Sequence, residues 1–133
     1  MRYLPPFAIV KRMIKGTNLR DKTRVDTSLE DLQAVIRTLL TVVEVDEVFY
    51  LERNLDVAKG IQDGLIRSAQ DHFVRHGYFE GRMPYQIWVD EAWYLATHAD
   101  VAKTVASGVY ASAQDHFDGA GYPEGRAPFP PES

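Results

Sequence analysis

An all-α protein is predicted by three features of this 133-residue chain. Residues 46–85 recur as residues 90–129 with a constant offset of 44 and no gap. Ser, Asp and Gly stand where short helices start and stop, and residues 29–43 carry apolar side chains at three-and-four spacing. No segment alternates apolar and polar residues between hairpin turns, as the strands of a sheet would.

Taken along the chain, Pro5 and Pro6 open FAIVKRMI, which is expected to be a short helix up to Gly16, because proline is tolerated in a first helical turn. Leu29, Leu32, Val35, Ile36, Leu39, Leu40 and Val43 then form one apolar helix face, introduced by a capping pair, either Thr27 with Glu30 or Ser28 with Asp31. In the duplicated part each copy is expected to hold three helices. Asp46 and Asp90 cap the first. Asp56 and Asp100 are expected to cap the second, which should stop at Gly64 and Gly108. Ser68 with Asp71, and Ser112 with Asp115, open the third, with Gly77 and Gly121 expected as left-handed terminal residues. The segments ending at Pro84 and Pro128 are too rich in Gly and Pro for a helix and should be connecting loops. The tail PFPPES should be extended. The chain divides into an N-terminal capping and docking segment (1–45), a first unit (46–89) and a second unit with the tail (90–133), all within one domain. The helix over residues 29–43 is expected to cover the first unit, with Ile36 and Leu40 in the core.

Composition narrows the functional classes. At 45% hydrophobic and 26% charged the chain is an ordinary globular domain, long enough to bury roughly two thirds of its unfolded surface without a metal or cross-link. The absence of Cys excludes a thiol nucleophile, a CxxC redox pair and thiolate zinc ligands. Nothing approaches the ~18 apolar residues of a membrane span, so neither signal peptide nor anchor is visible, and a soluble cytoplasmic protein is expected. The motifs of phosphate-cradling loops, dinucleotide binding, zinc proteases, serine hydrolases and EF-hands are all missing. No cofactor is expected.

Charge is uneven: residues 1–26 carry a net +5, the remainder −9. Most of the positive charge is in Lys11, Arg12, Lys15, Arg20, Lys22 and Arg24, a stretch suited to a polyanion or to docking on the acidic remainder. Residues 11–24 contain no aromatic side chain to stack on bases, which argues against nucleic acid.

Shared residues of the two copies fall in blocks: DE.(aromatic)YL, DVAK, G...SAQDHF and GY.EGR.P. His72 and His116 occupy equivalent places beside Asp71 and Asp115, but neighbours in sequence point about 100° apart on a helix, and His76 becomes Ala120 in the second copy. A structural histidine bonded to a carbonyl or carboxylate is therefore favoured over a metal ligand or catalytic base. Glu80 with Arg82 and Glu124 with Arg126 flank a glycine and suit a tie between loop and helix end better than an acid–base pair. Recurring aromatics, Phe49 with Trp93, Tyr50 with Tyr94 and Phe73 with Phe117, should fill the cores of their units. Trp88 corresponds to Glu44, so no repeat role explains it; it either staples the units or stays exposed.

The tandem succession YL..N.DVA, SA.DHF...G and EGR.P resembles a short repeat of proteobacterial proteins, among them exported repeat-rich proteins and tails of glycosyltransferases of polysaccharide synthesis. It covers 80 of the 133 residues. Leu55 and Ala99 stand where typical units have a proline, and His98 where they have Asn. The resemblance implies a helical packing or interaction module and brings no catalytic residue. Three functions are thus in view: a non-catalytic adaptor or accessory subunit binding a partner protein or a second copy; a carbohydrate- or polyanion-binding module associated with bacterial polysaccharide; and an enzyme using the His and Glu of the repeats.

Overall fold

A computed structural model describes residues 5, 7–14 and 24–131, and all regular structure among them is helical. Helix α1 is Phe7–Met13. Helix α2, Leu29–Leu40, begins at Ser28, whose hydroxyl accepts from the Asp31 N–H at 3.0 Å, so of the two expected capping pairs Ser28 with Asp31 is used. Helix α3 (Glu47–Arg53) is capped by Asp46, and α4 is Leu55–Gln62. Helix α5 (Ala69–His72) is capped by Ser68 and widens into a π turn over Phe73–Gly77. The same order follows 44 residues on: α6 (Glu91–Thr97), α7 (Ala99–Ala106) and α8 (Ala113–His116) with its π turn Phe117–Gly121. A final turn, α9, is Tyr122–Glu124.

Three expectations need correction. Asp56 and Asp100 do not cap: the cap positions of α4 and α7 lie two residues earlier, at Asn54 and His98, neither of which makes a side-chain cap bond. Because α3 and α4 share Asn54 as their boundary, the aspartate falls inside the first turn, where its charge suits the helix N-terminus and its carboxylate faces another partner. Gly77 and Gly121 are not left-handed. Positive φ angles belong to Gly64, Gly81, Gly108 and Gly125. What Gly77 and Gly121 supply is space, because a Cβ there would overlap the hydroxyl of Tyr50 or Tyr94. Finally, the closing segment of the second copy is not all loop: Pro123 sits in the first turn of α9, where a missing N–H costs no helical bond.

Two apolar clusters form the interior. One buries Tyr50, Val57, Ala69 and Phe73 under Leu40 of α2, with Ile36 half-buried beside it. The other buries Tyr94, Val101, Ala113 and Phe117 together with Met83. Each copy closes on itself: Asp46 N–H donates to Pro84 O at 2.9 Å, and Asp90 N–H to Pro128 O at 3.0 Å. The chain entering each copy is held by one glutamine. Gln70 donates to Val43 O and accepts from Val45 N–H; Gln114 does the same with Ile87 O and Val89 N–H. Phe49 does not fill the core of its own copy as expected: the halves meet where it and Met83 of the first pack into the second cluster and Arg53 donates to Asp118 O at 2.7 Å.

Candidate functional site

The polar residues common to both copies converge. The Tyr50 hydroxyl lies 2.8 Å from His72 Nδ1, and the Tyr94 hydroxyl 2.8 Å from His116 Nδ1, with all four side chains buried. The hydrogen-bond partner of each histidine is thus a tyrosine, where a carbonyl or carboxylate was expected. His72 Nε2 faces Glu80 Oε1 at 4.0 Å, beyond hydrogen-bond distance. Three elements build this arrangement: α3 brings the tyrosine, the end of α5 brings the histidine, and the following turn brings Glu80 and Arg82.

Arg82 gathers the rest. Its guanidinium forks onto both Asp56 oxygens at 2.9 Å, donates to Asn54 Oδ1 at 3.0 Å and reaches Glu80 through Nε at 3.1 Å. Arg126 repeats the fork on Asp100 and the Nε bond to Glu124, while His98 replaces Asn54 as a more distant neighbour at 3.4 Å. The turn before each arginine is thereby tied to the start of α4 or α7 by charge-assisted bonds. Asp56, misread as a cap, is the anchor of this tie; its signal in sequence was its recurrence with Arg82 at a fixed separation.

These contacts set the titration. Burial, then the nearby guanidinium, holds His72 and His116 below their ordinary 6.5. Burial pushes the Tyr50 hydroxyl up to about 12 and raises Tyr94 too, while the hydrogen bonds from Arg126 lower Asp100 to about 2. Below 6.5 the unfolded chain takes up protons that the folded histidines refuse, so stability falls with acid; it falls again below 3.8, where only the unfolded aspartate is protonated. Above 10 the unfolded tyrosines ionise while Tyr50 resists, so stability falls there also. A plateau from about pH 6.5 to about pH 10 is expected in the urea midpoint, and a midpoint unchanged between about pH 7 and about pH 5 would contradict it.

The remaining candidates do not join this arrangement. Lys11 and Arg12 are exposed on the last turn of α1, and Arg24 is exposed ahead of α2. Lys15, Arg20 and Lys22 lie outside the described residues. Trp88 is 72% exposed: in the segment that Gln114 holds, Ile87 and Val89 pack into the second cluster while Trp88 faces outward, so it staples nothing. Among the described residues no group of three or more His, Asp or Glu is placed to hold a metal ion.

Two surface grooves were not anticipated. One, about 620 Å³, runs along the junction of the halves between Tyr78, Phe79 and Glu80 on one side and Tyr122 and Pro123 on the other. The second, about 410 Å³, lies between α1, α2 and α5, walled by Met13, Ala34 and Val74 with Arg37, Asp71 and Arg75. No family model, curated protein or solved structure matches the chain. No helix among the described residues is long and apolar enough to cross a membrane.

Proposed function

We propose that this chain is a non-catalytic interaction module, an adaptor or accessory subunit, in which two tandem three-helix units form a rigid block and α1 and α2 present the surface for a partner protein. The observation that carries this reading is the division of labour among side chains. The polar groups that recur in both copies are engaged with one another inside each copy, whereas Phe7, Val25, Leu29 and Leu32 are left exposed at the α1 and α2 end. Phe7 is 72% and Leu29 69% exposed, an apolar presentation that marks recognition surfaces more often than enzymatic clefts. The same internal engagement of His72, Glu80 and their counterparts weighs against the enzyme reading, because a general base needs a lone pair facing a substrate. We assign the units to the proteobacterial repeat that their sequence resembles.

The test is affinity purification of the tagged chain from its native cell after cross-linking, with mass spectrometry, beside a Leu29→Asp, Leu32→Asp variant. One protein enriched with the wild type and lost from the variant is expected. A monomer that enriches nothing overturns the reading.

A second reading, carbohydrate binding, draws on the junction groove, where Tyr78 is 42% exposed beside the Glu80 carboxylate and the Tyr122 ring. Rings beside polar groups suit the faces and hydroxyls of sugars. A glycan array probed with wild type and Tyr78→Ala separates the two, since silence on the array removes this second reading alone.

A further inference from the structure

The groove between α1, α2 and α5 has a chemistry of its own. Met13, Ala34 and Val74 give it an apolar wall, and the Thr38 and Thr41 hydroxyls on its rim donate to Ala34 O at 3.0 Å and Thr38 O at 2.8 Å. Those protons being used, the donors left to a ligand are guanidiniums. Arg75 is shared with Asp71, its Nε 2.9 Å from Oδ1, but 63% of its side chain remains exposed. Arg37 is half-buried and lies over the Phe79 ring at 5.9 Å, and it forms no ion pair with any described residue. A half-buried guanidinium with no counter-charge among the described residues favours a carboxylate that can take two of its N–H groups. Lys11 and Arg12 project from the same helix as Met13. The groove thus carries two guanidiniums against the one carboxylate of Asp71, beside an apolar wall.

We infer that this groove docks an acidic amphipathic segment of a partner polypeptide, with an apolar side chain against Met13, Ala34 and Val74 and carboxylates on Arg37 and Arg75. This deepens the adaptor reading and rests on it. Charge complementarity selects the sign of the ligand, and the apolar wall selects a peptide over a polysaccharide or nucleic acid polyanion, neither of which offers aliphatic groups to cover it.

The probe is a fluorescein-labelled peptide with leucines at three-and-four spacing and glutamates between them, titrated by anisotropy into the full chain. Controls are the same peptide with lysine for glutamate, the same with serine for leucine, and a heparin-derived oligosaccharide. Saturable binding of the acidic amphipathic peptide alone is expected, weakening about tenfold in Arg37→Glu and in Arg75→Glu, and weakening with added salt. Arg75 lies outside both clusters, so that variant reads the groove even where Arg37→Glu disturbs the contact with Phe79. Equal binding of the lysine peptide, unchanged affinity in both variants, or tighter binding of the oligosaccharide overturns the inference. A native partner still captured by the Arg37→Glu chain also overturns it while leaving the adaptor reading standing; capture of no partner by wild type removes that reading instead.

Discussion

Gly77→Ala is expected to destabilise the protein by about 3 kcal/mol, although alanine is the better helix former by about 1 kcal/mol. The backbone at this position is not left-handed, so no strain in φ is involved. The cost is spatial. A Cβ on Gly77 would overlap the Tyr50 hydroxyl, and the tyrosine is fully buried and engaged with His72, so it has nowhere to retreat without breaking a buried hydrogen bond worth about 1 to 3 kcal/mol. Gly121 stands in the same relation to Tyr94, and Gly121→Ala should behave alike. Two controls identify the mechanism. Gly64→Ala introduces a side chain at φ 73° into open space and should cost only about 1 kcal/mol, from backbone strain. Tyr50→Phe with Gly77→Ala should cost less than the sum of the single changes by about 1 kcal/mol or more, because removing the hydroxyl removes the overlap. Urea unfolding of the four proteins measures this cycle, and strict additivity would show that the glycine serves something other than the tyrosine.

Met83→Ala should cost about 3 kcal/mol and loosen the coupling of the two halves. Met83 belongs to the closing segment of the first copy, yet it is 4% exposed inside the cluster of the second, beside Tyr94 and Phe117. Its truncation leaves a cavity at the junction, where stability in stacked helical units depends on the interface between neighbours. In a Trp88→Phe background the emission of Trp93, which packs on the second cluster, reports that half alone. We expect its transition in Met83→Ala to come at lower urea than the loss of helicity of the whole chain. Coincident transitions with an unmoved midpoint would mean that the halves are held by other contacts. The counterpart of Met83 is Ala127, which is exposed, so duplication did not preserve this position.

How far the sequence could be read depended on how local each cause was. Asp46, Asp90, Ser68 and Ser112 act within three residues, on the N–H groups of Phe49, Trp93, Asp71 and Asp115, and their spacing announced the helices directly. Asp56 misled because an acid before an apolar run looks like a cap, whereas its partner, Arg82, is 26 residues away and reached only once the chain has turned back. Gly77 misled for the opposite reason: glycine at a helix end is the usual mark of a left-handed residue, and nothing local reveals that a tyrosine from 27 positions earlier lies against it. The groove between α1, α2 and α5 was invisible since Arg37 and Arg75 appear in sequence as ordinary surface charges on separate helices.

The amino-acid order alone determined that this protein is helical, that its second part is a duplicate, and where most of its helices begin, because caps, glycine stops and apolar periodicity act over three or four residues. Tertiary structure decided which polar side chains are spent on shape and which face outward. The pairing of Tyr50 with His72, the fork of Arg82 on Asp56 and the unpaired state of Arg37 among the described residues are distances between remote parts of the chain, and such distances exist only after the helices have packed.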